Sequence, residues 1–167
     1  MGRERGAPVR PARVRAGAVG VLVLMATALV IVGCGEDEGV AAGATVNAYF
    51  GAPLCAGAKG ELTRGDGRAG DVRVKVICLD ETSQGKRLDL ATVGANARRA
   101  TEDSTAIAYV ESPGPANRFA QPIVEEAGIG WVRATVGKFA IQRVLKAVGD
   151  AGSGSLRDEV RKALEAE

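Results

Sequence analysis

Two hydroxyl side chains and one short loop are the first features of this sequence that could bind a ligand. Ser112 and the backbone amides from Gly114 to Asn117 stand where an apolar run ends and a helical pattern begins. The N-terminus of a helix favours a carboxylate, because its dipole and its unpaired N–H groups point at the ligand. Thr135, which follows the next apolar run, would add a hydroxyl. The same residues could instead make only a turn and a helix cap, and on chemistry alone this alternative is favoured.

Three carboxylates, Asp80, Glu81 and Glu111, also follow apolar runs. They could bind an ammonium group or a cation, although solvated turn residues are the simpler interpretation. The sequence has no histidine, which excludes Ser-His-Asp triads and His-ligated metals. No other nucleophile is paired with a base, so we predict neither an enzyme nor a metal or organic cofactor.

The first 33 residues have the layout of a signal peptide. A basic segment with five Arg and one Glu precedes an uncharged apolar segment, 16–33. The segment ends in Ile31-Val32-Gly33-Cys34, which resembles the lipobox of bacterial lipoproteins, in which the cysteine carries the lipid. An uncleaved transmembrane anchor is the alternative. Either interpretation predicts an extracytoplasmic domain at the cell membrane, joined by a flexible tether over residues 34–44.

Removal of this segment reverses the net charge. The whole chain carries 22 Lys and Arg against 20 Asp and Glu, a net charge of +2. Residues 1–33 alone carry a net charge of +4, so the rest of the chain has a net charge near −2. The chain beyond residue 33 has no basic patch interleaved with aromatic residues, and nucleic-acid binding is not supported.

Two further cysteines are left once Cys34 is assigned to the lipid. Cys55 opens the helix predicted after strand 45–50, and Cys78 lies near the end of the predicted strand 72–79. The strand order predicted below makes these two strands neighbours. A disulfide in the oxidising compartment would stabilise the fold by about 3 kcal/mol. The alternative is a reactive thiol at Cys55, because a helix N-terminus lowers the pKa of a cysteine.

Alternating apolar runs and helical patterns predict a single α/β lobe. The predicted strands are 45–50, 72–79, 106–110 and 129–132; the predicted helices are 54–62, 89–102, 116–127, one ending near residue 149, and 155–167. Such alternation favours an open parallel sheet with helices on both faces. We predict the flavodoxin-like strand order 2-1-3-4, which gathers the loops 51–53, 111–114 and 133–135 on one rim. The lobe would span 45–149, with a linker at 150–154 before the C-terminal helix.

The segments VNAYFGAPL, VRVKVICLDE and AIAYVESPGPANRFAQPIVEEAGIGWVRAT resemble the N-terminal lobe of type I periplasmic binding proteins. They are most similar to the substrate-binding component of branched-chain amino-acid ABC transporters, over roughly residues 45–135. The resemblance implies that Ser112, Gly114, Ala134 and Thr135 hold the α-carboxylate of an amino acid. It also places Asp80 in the acidic pair that ends the second strand.

The sequence departs from this family in two respects. The family has two lobes that close on the ligand, whereas this chain has room for about one. Arg133 also stands where the family prefers a small residue. We therefore expect a solute-binding lobe whose missing wall a permease or a second copy supplies. A structural or protein-interaction lipoprotein with a vestigial ligand site is the alternative.

Overall fold

The apolar runs pair into one twisted sheet in the computed structural model, which describes residues 43–82 and 87–166. Within these residues the strands are β1 (Thr45–Gly51), β2 (Arg68–Ala69), β3 (Val72–Leu79), β4 (Ala106–Glu111) and β5 (Gly130–Arg133). The helices are α1 (Ala52–Arg64), α2 (Leu90–Glu102), α3 (Asn117–Glu126), α4 (Gly137–Gly149) and α5 (Leu156–Glu165). The predicted signal peptide, Cys34 and the tether up to residue 42 lie outside the described residues. No helix in the described part is long and apolar enough to cross a bilayer.

The strand order is β2-β3-β1-β4-β5, and every pairing except β2–β3 is parallel. The four predicted strands therefore lie in the predicted order, and the α/β fold class with helices on both faces is confirmed. The short strand β2 was not predicted. It forms an antiparallel hairpin with β3 through Gly70, whose φ of 59° suits glycine.

Side chains alternate between the two faces of the sheet and build two cores. On one face, Ala48, Phe50 and Val110 pack with the buried residues of α1, α4 and α5. On the other face, Tyr49 and Tyr109 pack with buried residues of α2 and α3. The buried residues of α5, Leu156, Val160 and Leu164, all belong to the first core. The C-terminal helix is therefore part of the lobe.

One row of aromatic rings crosses the second face. Tyr49 pairs in register with Tyr109, and Tyr109 pairs with Trp131. Their ring centroids are 6.3 Å and 5.7 Å apart, and both ring pairs are stacked. Three neighbouring strands are thereby joined by side chains as well as by their backbones.

Asp103 joins β1 to the start of β4. Its carboxylate accepts hydrogen bonds from the side chains of Asn47 and Tyr49, both at 2.8 Å, and from the Thr105 amide and hydroxyl at 2.8 and 2.6 Å. Partial burial alone would raise its pKa, but the hydrogen bonds from Thr105, Asn47 and Tyr49 lower the pKa of Asp103 to about 2. The same contact acts on Tyr49, where burial and then the Asp103 carboxylate raise the pKa to about 12.

Helix α4 packs against α1 through a glycine that leaves no room for a side chain. A Cβ atom on Gly137 would lie 1.8 Å from the carbonyl oxygen of Leu54 and 3.1 Å from the amide nitrogen of Ala58. The two backbones therefore touch where α4 begins. This contact fixes the position of Thr135 and Val136, which directly precede α4.

We expect Gly137→Ala to destabilise the protein by about 1–3 kcal/mol, because the backbones of α1 and α4 must separate to admit one methyl group. The midpoint of urea unfolding measures the change. Gly152→Ala is the matched control, because a Cβ there meets nothing within 4 Å. Equal midpoints for the two variants would contradict the close backbone contact.

Candidate functional site

The parallel pairing places the carboxyl ends of β1, β3, β4 and β5 along one edge of the sheet. Each sequence-predicted binding residue follows one of these ends. Asp80 follows β3, Ser112 and Gly114 follow β4, and Ala134 and Thr135 follow β5. Open α/β sheets bind ligands at this edge.

Two of these loops line a single groove beside β4 and β5. The groove has a volume of about 330 Å³. It is lined by Pro113, Arg133, Ala134, Thr135, Val136, Phe139, Ala140 and Arg143. Its apolar wall is open to solvent, since Phe139 is 60% and Val136 44% exposed. Thr135 is exposed at its rim, whereas Ser112 is half-buried and does not line it.

Backbone amides in the two loops of the predicted carboxylate site already have partners inside the protein. The amide of Gly114 donates to the side-chain oxygen of Asn117 at 2.6 Å, which closes the turn before α3. The amide of Ala134 donates to the carbonyl oxygen of Glu111 at 3.0 Å. These two amides are therefore not available to an anion in the groove.

Asp80 lies apart from that groove. It follows β3, which is separated from β4 by β1. Its carboxylate accepts hydrogen bonds from the amide and hydroxyl of Thr82, at 3.0 and 2.7 Å, and these bonds lower its pKa. Asp80 lines a different groove of about 560 Å³ beside the disulfide. The structure thus does not bring Asp80 together with Pro113 and Thr135.

Cys55 and Cys78 form the predicted disulfide. Their Cα atoms are 5.5 Å apart, a distance that a disulfide spans easily. Cys55 lies in α1 and is buried, and Cys78 lies in β3, in register with Phe50 of β1. The bond therefore ties the start of α1 to the neighbouring strand at the same edge of the sheet, and the alternative of a reactive thiol at Cys55 is wrong for this structure.

Two glutamates form an acid pair next to the switch point between β1 and β4. Glu111 is only 1% exposed, and neither of its carboxyl oxygens has a hydrogen-bond partner among the described residues. Glu81 reaches over the end of β1, where its Oε1 would lie 3.1 Å from a Cβ on Gly51. The buried hydroxyl of Tyr109 lies on the same face of β4 and likewise has no partner in the described part of the chain.

Burial is the main reason that both carboxyl groups resist ionisation. Burial and the nearby charge of Glu81 raise the pKa of Glu111 to about 8. Burial raises the pKa of Glu81 as well. Burial and then the charges of these two acids raise the pKa of the Tyr109 hydroxyl. At neutral pH the pair therefore retains a proton. No group of three or more metal-ligating side chains occurs among the described residues.

The sequence favoured the interpretation of Glu81 and Glu111 as solvated turn residues. This interpretation is wrong for Glu111, which is buried. The available signal was its place at the end of β4, in which every residue is buried. Arg143 and Phe139 of the groove were not predicted at all. They lie on the first turns of α4, and nothing in their own spacing marks them as ligand-binding.

A comparison with protein-family models, with curated proteins and with solved structures found no match for this chain.

The acid pair predicts a specific pH dependence of stability. The pKa of Glu111 is about 8 in the folded chain, against an ordinary value of 4.5. Its contribution to stability is therefore fully present below pH 4.5 and is lost as the pH rises through about 8. Between these values the free energy of unfolding should fall by as much as about 1.4 kcal/mol per pH unit relative to Glu111→Gln, which cannot ionise.

Urea unfolding of the wild type and Glu111→Gln from pH 4 to pH 9 measures this difference. Glu126→Gln, at an exposed position on α3, is the control and should follow the wild type at every pH. If the curves of the wild type and Glu111→Gln run parallel, the buried acid does not titrate as described.

Proposed function

We propose that this protein is a membrane-anchored, extracytoplasmic solute-binding lobe, similar to the N-terminal lobe of an amino-acid receptor. The observation that supports it best is the groove, which joins the loop after β4 to the loop after β5. These are the two loops in which the resemblance to type I periplasmic binding proteins puts the ligand. Parallel strands and the Gly137 contact hold both loops on rigid elements, as a preformed site requires.

A single lobe leaves half of such a cleft open. In our proposal a partner supplies the second wall, either a permease of an ABC transporter or a second copy of the chain. The apolar wall of the groove supports this, because Phe139 is the most exposed of the large apolar side chains in the described part. Affinity of the lobe alone should be weak, in the micromolar to millimolar range.

The role that we propose is binding without catalysis. The groove lining has neither a carboxylate nor a cysteine, and its one hydroxyl nucleophile, Thr135, has no base among the lining residues. The resemblance also points to a receptor rather than to an enzyme.

A structural or protein-interaction lipoprotein is the second candidate. The exposed rings of Phe119 and Phe139, 47% and 60% accessible, favour it, because they follow the two loops of the groove and could contact another protein directly. In that case the groove would be a vestige of the ligand site.

Solute binding separates the two candidates. Calorimetry of the full chain in detergent micelles, against a panel of free amino acids and their deaminated acids, should show heat at micromolar to millimolar concentrations. Thr135→Ala should weaken binding by about 2- to 10-fold, because it removes one hydrogen-bond donor at the rim. Thr101→Ala, on α2, is the matched control and should leave the affinity unchanged. No heat with any member of the panel would favour the interaction protein.

Anchoring is tested separately at Cys34. Mass spectrometry of the chain isolated from bacterial membranes should show residues 34–167 with a diacylglyceryl group on Cys34. Cys34→Ala should abolish both the lipid and the cleavage, because the thiol is the lipid acceptor. A mature chain that retains residues 1–33 would instead establish an uncleaved anchor.

A further inference from the structure

The disulfide lines an open groove at the surface of the lobe. Cys55 and Cys78 both contribute to the groove of about 560 Å³ between the start of α1 and the end of β3, which we call the disulfide groove. Cys78 is exposed to solvent, whereas Cys55 is only 3% exposed. A molecule in this groove therefore meets the disulfide from the side of Cys78.

The position of Cys78 in β3 explains this exposure. Side chains alternate along β3, and Val74 and Val76 lie on the face that packs against α1. Cys78 lies on the same face, two residues further along the strand. Because β2 pairs only with Val72 and Arg73, no described strand covers the outer edge of β3 at Cys78. The disulfide is thus reached from the edge of the sheet.

The surroundings of Cys55 favour a negative charge on its sulfur. Cys55 is the fourth residue of α1, a helix of 13 residues without an acidic residue in its first turn. Lys59, one helical turn after Cys55, lines the same groove. The positive end of a helix dipole and a neighbouring cation both stabilise a thiolate. Cys55 is therefore the better leaving group of the two sulfurs.

One carboxylate also lines the disulfide groove. Asp80 follows β3, and its carboxylate accepts hydrogen bonds from the amide and the hydroxyl of Thr82. These bonds hold part of its charge inside the loop. The groove lining therefore carries one cation and one anion, Lys59 and Asp80, and an incoming thiolate is not repelled by an excess of negative charge.

We propose that the Cys55–Cys78 disulfide is a thiol-exchange site for small-molecule thiols, with Cys78 as the sulfur that is attacked. Labile disulfides in proteins are typically exposed ones. A groove of about 560 Å³ has room for a thiol of this kind. This inference goes beyond the proposed function and does not depend on it.

The exchange has two steps. In the first step the thiolate of a small thiol attacks Sγ of Cys78 and forms a sulfur–sulfur bond with it. The Cys55–Cys78 bond breaks, and its electron pair goes to Cys55. In the second step another thiolate attacks the small-molecule sulfur of this mixed disulfide and releases the thiolate of Cys78. Two small thiols are thereby oxidised to one disulfide, and their two protons end on Cys55 and Cys78.

Trapping of the mixed disulfide tests which sulfur is attacked. The full chain with Cys34→Ser, which removes the third thiol, is treated with cysteamine at pH 8 in detergent micelles and quenched early with N-ethylmaleimide. Peptide mass spectrometry then locates the two labels. We expect cysteamine on Cys78 and maleimide on Cys55, in at least about five-fold excess over the reverse pattern. In concentrated urea the two patterns should occur in similar amounts, because unfolding exposes both sulfurs.

Two lysine variants test the role of Cys55 as the leaving group. Lys59→Gln should slow the first step by about 2- to 5-fold, because a cation that stabilises the Cys55 thiolate is lost. The thiolate form of cysteamine also carries an ammonium group and has no net charge, so its attraction by Lys59 contributes little. Lys75→Gln is the matched control, because Lys75 is exposed on β3 outside the disulfide groove and should leave the rate unchanged.

Three results would overturn the proposal. One is a mixed disulfide that forms on Cys55, or equally on both cysteines, in the folded chain. Another is equal slowing by Lys59→Gln and Lys75→Gln, which would show only a general charge effect. The third is exchange that is undetectable without urea or rises steeply with urea below the unfolding transition, because the bond would then open only in unfolded chains. None of these results bears on solute binding, so the proposed function would stand.

Discussion

The parallel pairing of β1 with both β3 and β4 is the constraint on which the rest of the structure depends. Because β1 is central and its neighbours run in the same direction, the loops that follow β1, β3, β4 and β5 all emerge at one edge. Any antiparallel strand among these four would have sent its loop to the opposite edge. The disulfide and the acid pair lie at this edge for the same reason as the groove does.

The acid pair and the groove lie at the same edge of the sheet but differ in exposure, because Glu111 is buried whereas the groove is open to solvent. Glu111 lies at the end of a fully buried strand, and a neighbouring acid, Glu81, raises the cost of its ionisation further. A buried carboxyl group without a described partner destabilises the fold once it is charged. One edge of the sheet therefore holds a buried acid that keeps its proton near neutral pH and, beside it, a groove that is open to solvent.

Much of the fold could be predicted from the sequence, because the period of the apolar pattern reports local structure directly. The apolar runs at 45–50 and 106–110 are typical of buried strands. Right-handed crossovers between four parallel strands allow few strand orders. The two-residue strand β2 was missed, because it is too short to show a period. The pairing of Cys55 with Cys78 followed from the predicted strand order, which made the two residues neighbours.

The candidate site was less predictable, because it depends on which side chains meet across the sheet. Sequence patterns placed Ser112, Gly114 and Thr135 correctly at one edge. They could not show that the amide of Gly114 is already bonded to Asn117, although the predicted strand order did put Asp80 on the far side of β1. They also could not show that Arg143 and Phe139 of α4 turn toward the β5 loop. That arrangement follows from the backbone contact at Gly137, which is a tertiary fact.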